Sequence, residues 1–163
     1  MRLTLIAVGR LKSGPERELV ERYRERIEGI GRSLGISGLE IVELPESRAR
    51  RDADRMTEEA KALLDKAGSA AILAFDERGK SPSSESFAET LRTWRDAGRG
   101  GIACLIGGPD GLDPLIRQRA DSIVSFGALT LPHQIVRVLV AEQLYRALTI
   151  ISGHPYHRAG YDS

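Results

Sequence analysis

The sequence predicts an α/β fold in which helices cover both faces of a parallel-rich β-sheet. Two observations lead to this prediction. Apolar, strand-like runs alternate with helical stripes along the chain. The runs Ala70–Phe75 and Ile102–Ile106 are also apolar throughout, which is typical of strands buried on both faces. The 163 residues contain no linker, repeat or low-complexity segment, so a single domain spanning residues 1–163 is expected.

The first elements are a strand, a helix and a second strand. Leu3–Val8 is a short apolar strand, and Pro15 is expected to open the helix because proline favours the first helical position. The helix carries an apolar stripe at helical spacing, made by Leu19, Tyr23, Ile27 and Ile30. Gly31 and Gly35 are expected to end it, and Leu39–Leu44 forms the next strand.

The middle of the chain continues the alternation. A helical stripe from Met56 to Ala67 is closed by Gly68 and leads into the third strand, Ala70–Phe75. The polar segment Asp76–Ser81 is interpreted as a turn. A further helix carries Phe87, Leu91 and Trp94, stops at Gly98 and precedes the fourth strand, Ile102–Ile106.

The second half departs from a simple repeat. Asp113 and Pro114 resemble an N-cap and a first helical residue, which predicts a short helix. A short strand, a loop and the last helix are then expected at Ile123–Phe126, at Gly127–Leu131 and from Pro132 onwards, respectively.

The last helix is apolar on more than one side. From Ile135 to Ile151, 12 of 17 residues are apolar. A helix lying on a sheet needs only one apolar stripe, so a second surface is expected to cover this one. A symmetric homodimer supplies that surface in a chain of this size. The alternative is a central helix of a monomer.

Composition excludes several classes of protein. A net charge of +1 excludes a histone-like electrostatic binder, but not a local basic patch. The run Arg48, Arg50, Arg51 and Arg55 is either a solvated face or an RNA-facing patch. A single cysteine, Cys104, excludes an internal disulfide and a cysteine-based zinc site, and its apolar neighbours predict burial.

The sequence also bears on location. No run reaches the ~18 consecutive apolar residues that suggest a membrane span. The N-terminal residues read as a strand rather than a signal peptide. We therefore expect a cytoplasmic protein that does not insert into membranes.

A glycine cluster, Ile106–Gly111, follows the fourth strand. It is either a loop that lets backbone approach a ligand or simply a tight turn. Residues Ala74–Ser81 resemble a phosphate-binding P-loop, but Ala74 stands where that pattern requires glycine. The segment is either a loop whose Arg78 and Lys80 contact phosphate or a solvated turn, and the solvated turn is the preferred interpretation.

The three histidines lie near the two ends of the last helix. They are His133, His154 and His157, and they lack the cysteine or spaced carboxylate partners of a metal site, so no metal is expected. Tyr156 and the imidazoles beside Arg158 suit stacking of an unpaired base together with phosphate binding. The alternative is a frayed tail.

Four segments in order carry a resemblance to one known family. They are Leu105–Leu112, Ala128–His133, Val136–Arg146 and Gly153–Arg158. Together they resemble the ribosomal RNA large subunit methyltransferase H family of the SPOUT superfamily, over essentially the whole chain. The resemblance implies a SPOUT-type α/β domain with a C-terminal trefoil knot, and a homodimer. It also implies methyl transfer from S-adenosylmethionine to N3 of a pseudouridine in 23S ribosomal RNA, within the assembled ribosome.

The resemblance also implies site residues. The cofactor-binding positions are Phe75, Gly107, Gly108, Phe126, Gly127, Ala128, Leu129, Thr130 and Leu131. Candidates for the base that accepts the N3 proton are His133, Glu142, His154 and His157. Arg146 and Arg158 are candidates for binding phosphate or stabilising the deprotonated base, and Tyr156 for stacking it. The partner's C-terminal tail is expected to complete each site.

One departure and three rival functions remain. The chain continues past the His157–Arg158 pair with Ala159–Ser163, which adds negative charge near the expected RNA site. The rivals are a SPOUT-like dimer that binds RNA without methylating it, a methyltransferase with another RNA target, and a P-loop nucleotide hydrolase. Tight binding of S-adenosylmethionine and its demethylated product would argue against the RNA-binding dimer. Absence of ATP binding would exclude the P-loop hydrolase.

Overall fold

The computed structural model describes residues 1–158, and this part of the chain contains five strands and five α-helices. The strands are β1 (Arg2–Val8), β2 (Leu39–Leu44), β3 (Ala71–Lys80), β4 (Gly101–Ile106) and β5 (Ser122–Val124). The helices are α1 (Pro15–Gly31), α2 (Asp52–Ala67), α3 (Ser84–Asp96), α4 (Pro114–Arg119) and α5 (His133–Ser152). This order confirms the predicted alternation.

The strands form one sheet in the order β2-β1-β4-β3-β5, and every neighbouring pair is parallel. Helices α1, α3 and α5 cover one face, and α2 and α4 cover the other. Successive residues of a strand serve opposite faces, as Leu5 packs with the first group of helices and Ile6 with the second. Cys104 is fully buried in the first layer. The predicted parallel sheet with two covered faces is therefore confirmed.

Strand β3 is longer than the sequence predicts, and the predicted turn at Asp76–Ser81 is wrong for most of its length. Lys80 pairs with Val124 of β5 after a bulge that begins beyond Phe75. Gly79 makes this pairing possible, because a Cβ there would lie 2.6 Å from the Ile123 carbonyl oxygen. A bulge redirects the side chains it contains. Here it places three polar residues beside the carboxyl edge of the sheet.

Local signals set the ends of the other elements. Pro15 is the first residue of α1, and the Asp113 side chain caps α4 by accepting a hydrogen bond from the Leu115 N–H at 2.8 Å. The predicted strand Ile123–Phe126 is shifted: β5 ends at Val124. The Ser125 N–H still donates to the Lys80 carbonyl oxygen at 2.8 Å. Its hydroxyl accepts from the Gly127 N–H and donates to the Gly127 carbonyl oxygen, at 3.1 Å each, in the loop that follows.

Helix α5 packs between α1 and α3 across the sheet. A charged side chain, Arg137, is buried within this packing and is only 4% exposed. Its guanidinium donates to Glu43 Oε2 at 2.5 Å and to the Gly9 carbonyl oxygen at 2.6 Å. These bonds fix the start of α5 to the ends of β1 and β2. Within residues 1–158, no helix combines the length and apolar content that crossing a bilayer requires.

Candidate active site

A cavity of about 370 Å³ opens at the carboxyl edge of the sheet. Three segments form it: the glycine loop after β4, the bulge of β3 and the loop between β5 and α5. Ligands in open parallel sheets bind at this edge. The predicted cofactor residues that line it are Phe75, Gly107, Gly108, Phe126, Gly127, Leu129, Thr130 and Leu131. Ala128 is exposed in the same loop and is not part of the lining.

The glycine loop is shaped by close contacts within the protein. A Cβ on Gly107 would lie 2.9 Å from the carbonyl carbon and oxygen of Gly111. A Cβ on Gly108 would lie 3.0 Å from Val8 Cγ1 and 3.2 Å from Glu59 Oε1. Gly111 has φ +85° and donates its N–H to the Gly108 carbonyl oxygen at 2.9 Å. The cluster is therefore a tight turn, and it also lines the cavity. Its close approach to a ligand stays a prediction.

The loop is also tied to α2. Asp110 receives two hydrogen bonds from Arg55, Nε to Oδ2 at 2.7 Å and Nη2 to Oδ1 at 3.1 Å. These bonds hold the pKa of the Asp110 carboxyl below its ordinary value. Asp110 lines the cavity and Arg55 lies behind it. Arg55 thus positions the loop and is not part of an exposed basic run, which leaves Arg48, Arg50 and Arg51 as the exposed members.

The β3 bulge and α4 together contribute a charged wall, of which the sequence had suggested only Arg78. Asp76, Arg78 and Arg117 all line the cavity. Asp76 accepts from the Arg78 N–H at 2.8 Å and pairs with Arg117 Nη1 at 3.5 Å. The available signal was position: Asp76 directly follows an apolar strand, where ligands bind in such sheets. Arg117 carried no signal, because its place depends on how α4 packs.

The opposite wall is aromatic. The rings of Phe75 and Phe126 stack with their centroids 5.6 Å apart and their planes 10° apart. Together with the backbone of the glycine loop and the charged pair Asp76–Arg117, they make a cavity with one apolar and one charged side. This arrangement fits S-adenosylmethionine, which joins an aromatic adenosyl group to a charged amino-acid end.

The predicted catalytic residues fall into separate groups. His133 lines the cavity. Glu142, Arg146, Tyr156 and His157 meet further along α5, where Arg146 donates Nε and Nη2 to Glu142 Oε1 at 2.9 and 2.5 Å. The Tyr156 hydroxyl donates to the same oxygen at 3.1 Å. Its ring lies 4.8 Å from the Arg146 guanidinium carbon.

Hydrogen bonds within this group of side chains occupy most of the accepting positions of Glu142 and His157. Glu142 receives three hydrogen bonds at Oε1 and a fourth at Oε2, from Gln143 Nε2 at 2.9 Å. Each carboxylate oxygen offers about two accepting positions, so Oε1 is fully used, Oε2 keeps one position, and Glu142 organises the cluster. Arg146 can only donate, so Nδ1 of His157, at 3.1 Å from it, accepts. The Nε2 atom of His157 then carries the ring proton and donates it in a hydrogen bond to Glu85 Oε1 at 2.9 Å. This hydrogen bond lowers the pKa of the Glu85 carboxyl.

The tail is docked against its own α5. Tyr145 and Tyr156 meet edge to face with centroids 4.8 Å apart. Burial, foremost, raises the pKa of the Tyr156 phenol, so it stays a neutral donor. His154 and Arg158 are exposed and do not line the cavity within one chain. The extension Ala159–Ser163 lies outside the described residues.

Within residues 1–158, no three histidine, cysteine, aspartate or glutamate side chains come together in a group that could hold a metal ion.

Known proteins resemble this chain over nearly its whole length. The family model described as "Predicted SPOUT methyltransferase" matches residues 1–157. A ribosomal RNA large subunit methyltransferase H of Methylorubrum populi is 58% identical over 160 residues, covering 97% of each chain. The protein of that name from Rhodopseudomonas palustris is 57% identical over 162 residues, covering 98% of this chain and all of its own.

Solved structures resemble the fold at low sequence identity. A probable methyltransferase from Bordetella pertussis Tohama I has a TM-score of 0.54 at 16% identity, covering 90% of this chain and 95% of its own. A probable methylase family protein from Haemophilus influenzae Rd KW20 has a TM-score of 0.52 at 14% identity, covering 96% and 70%. These structures show the fold. The family model and the full-length sequence matches establish that the chain belongs to the ribosomal RNA large subunit methyltransferase H family of SPOUT methyltransferases.

Proposed function

We propose that the chain methylates N3 of a pseudouridine in 23S ribosomal RNA and that it acts on the assembled ribosome. Methyltransferase activity with S-adenosylmethionine as donor follows from membership of the family. The acceptor nucleotide and the ribosomal context rest on the resemblance of the four sequence segments. The observation that carries the proposal is the single cavity built from the glycine loop, the β3 bulge and the loop before α5.

Different residues of the cavity would bind different parts of S-adenosylmethionine. The Phe75–Phe126 stack would offer an apolar surface for the adenosyl group, and Gly107, Gly108 and the loop residues Gly127, Leu129, Thr130 and Leu131 line the same cavity. Arg117 and Asp76 offer opposite charges for an amino-acid end. When bound, S-adenosylmethionine supplies a methyl group already activated by a sulfonium. The residues of the chain then mainly fix the orientation of donor and acceptor.

The acceptor N3 gains the methyl group and must lose its proton to a base or a water path. His157 Nδ1 accepts from Arg146, and His154 Nδ1 accepts from the Tyr156 N–H at 3.2 Å, so the accepting atom of each is engaged within one chain. Glu142 does not line the cavity, and its Oε1 is fully used. His133 lines the cavity and is the proposed base, and the pH–rate profile of His133→Asn, compared with that of His154→Asn, tests this assignment.

A homodimer with composite sites is part of the proposal. Leu129 is 84% exposed at the mouth of the cavity, and Ile135 is 38% exposed on the first turns of α5. Large apolar side chains of this kind suit a surface covered by a second copy. In such a dimer the tail of one protomer, with His154 and Arg158, closes the cavity of the other. The cytoplasm, where ribosomes are assembled, is the proposed location.

The test is methyl transfer from labelled S-adenosylmethionine to unmodified ribosomes. Free 23S RNA, transfer RNA and separated subunits serve as parallel substrates, and the label is mapped by nuclease digestion and mass spectrometry. Label on N3 of one pseudouridine, in assembled ribosomes only, is the expected result. Label on transfer RNA would replace the proposal by another RNA target. Donor binding without transfer to any of these RNAs would contradict it.

A further inference from the structure

A second, smaller cavity of about 220 Å³ adjoins the first. The two share one wall, made by Phe75, Val124, Ser125 and Phe126. The other side of the second cavity comes from the segment before α3, from α3 itself and from α5. It combines the polar residues Ser81, Ser83, Ser84 and Gln143 with the apolar residues Pro82 and Phe87. A ligand here would lie next to whatever occupies the first cavity.

The orientation of the Gln143 amide is fixed by its two partners. Nε2 donates to Glu142 Oε2 at 2.9 Å, and a carboxylate can only accept. Oε1 therefore faces Ser84, whose hydroxyl donates to it at 3.0 Å. Each amide atom retains one position, since Nε2 has a second hydrogen and Oε1 a second lone pair. Gln143 thus carries one remaining donor beside one remaining acceptor.

We propose that the second cavity takes the acceptor nucleobase and that Gln143 recognises the N1–H and O2 edge of pseudouridine. The inference rests on the proposed function and adds to it the residue that selects the base. An adjacent donor and acceptor on an amide match an adjacent N–H and carbonyl on a base, in two parallel hydrogen bonds. The phenyl rings of the shared wall give the base an apolar surface.

The chemistry of the acceptor leaves one edge for this contact. N3 must face the methyl donor, because it forms the new bond and releases its proton. The amide oxygen of Gln143 then needs another imino N–H next to a carbonyl group. Pseudouridine has one at N1 beside O2, because its sugar is attached through carbon. Uridine has none, because its N1 carries the sugar. Gln143 therefore favours pseudouridine over uridine while leaving N3 open.

Ser84 is a positioning residue in this arrangement. Its hydroxyl holds Gln143 Oε1, and it is the first residue of α3, so the helix fixes its place. Removing the Ser84 hydroxyl leaves the Gln143 amide in place but allows it to rotate. Loss of Ser84 should thus weaken selection in the same direction as loss of Gln143, by a smaller amount.

The experiment compares two ribosome preparations, one with pseudouridine and one with uridine at the acceptor position. We measure kcat/KM for both with the wild type, Gln143→Leu, Ser84→Ala and the matched control Gln118→Leu, whose glutamine is exposed on α4. Wild type should prefer pseudouridine. Gln143→Leu should lower that preference by about tenfold or more, through loss on pseudouridine ribosomes with little change on uridine ribosomes. Gln118→Leu should keep the wild-type preference.

Several results would overturn the inference. An unchanged preference in Gln143→Leu would do so, as would an equal loss on both ribosomes. Binding of S-adenosylmethionine checks that each variant is folded. If Gln143→Leu fails this check, an unchanged preference in Ser84→Ala decides against the inference. A wild type that methylates neither preparation overturns the proposed function itself. A wild type that is active on both without preference overturns only the selection by Gln143.

Discussion

Arg55 of α2 and Asp110 of the glycine loop are joined by two parallel hydrogen bonds, from Nε to Oδ2 and from Nη2 to Oδ1. The third nitrogen of the same guanidinium, Nη1, donates to the carbonyl oxygens of Ala49 and Arg50, at 3.0 Å each. One side chain therefore connects the segment before α2 to the loop that lines the donor cavity.

Loss of this connection should weaken donor binding more than it weakens the fold. Asp110→Asn and Arg55→Lys each remove the two-pronged charge-assisted contact, and we expect the dissociation constant for S-adenosylmethionine to rise by about tenfold. The pair lies near the surface, so the free energy of unfolding should change little. Titration calorimetry and urea unfolding measure the two effects. Arg92→Ala, which breaks the Arg92–Glu89 pair on α3, is the control that should leave affinity unchanged.

Substitutions in the glycine loop should reduce both binding and stability. Gly107→Ala would bring a methyl group within 2.9 Å of the Gly111 backbone. The side chain of Gly108→Arg would start toward Val8 and Glu59 rather than into the cavity. We expect both variants to lose donor binding and about 1–3 kcal/mol of unfolding free energy. Gly29→Ala, in open space on α1, should instead stabilise the protein by roughly 0.5–1 kcal/mol. Wild-type donor affinity in Gly107→Ala would contradict the role given to the loop.

Removal of the buried Arg137 should cost stability in a pH-dependent way. Arg137→Ala removes a donor from two backbone carbonyl groups and leaves Glu43 with only the Leu11 N–H, so we expect a loss of about 2–4 kcal/mol at neutral pH. The control is Arg22→Ala, whose arginine is exposed on α1. It should change the free energy of unfolding by no more than about 0.5 kcal/mol.

The pH dependence follows from Glu43. Burial opposes its charge, but hydrogen bonds from the Leu11 N–H and Arg137 outweigh burial, so its folded pKa lies below the ordinary 4.5. A carboxyl with a lowered pKa contributes stability above the unfolded value and loses that stability as pH falls through the folded pKa. Wild-type unfolding free energy should therefore decrease below pH 4.5, and the decrease should be smaller in Arg137→Ala. Parallel pH curves for the two proteins would refute this account.

The tail should matter for transfer rather than for donor binding. Arg158→Ala removes an exposed side chain that does not line the cavity of its own chain. We expect methyl transfer to ribosomes to be lost, with affinity for S-adenosylmethionine and unfolding free energy kept. Single-turnover transfer and equilibrium binding separate these effects. Normal turnover would mean that the tail takes no part in the reaction.

Much of the fold could be predicted because it depends on local signals. Apolar runs marked β3 and β4, and Pro15 and Asp113 marked the starts of α1 and α4. The extension of β3 could not be predicted, because Asp76–Lys80 is polar and joins the sheet only through pairing of Lys80 with Val124. The knot implied by the family resemblance stays a prediction.

The same division applies to the site. The glycine cluster and the loop before α5 were found because their motifs are contiguous in sequence. Arg55 was grouped with an exposed basic run, because its partner Asp110 is 55 residues away. Gln143 carried no signal of its own, since its role depends on Ser84 of another helix, 59 residues earlier. Hydrogen bonds between residues so far apart in sequence depend on how the helices and loops pack, and sequence motifs do not contain that information.

The bond between Arg137 and the Gly9 carbonyl oxygen spans 128 residues. A chain emerging from its N-terminus during synthesis therefore presents β1 and the apolar face of α1 long before α5 exists to cover them. Folding of such a chain is expected to finish only near the end of translation. A nascent chain stalled before α5 would expose the apolar surface that α5 normally covers. Chaperones would then bind a partly folded intermediate rather than a stable half-domain.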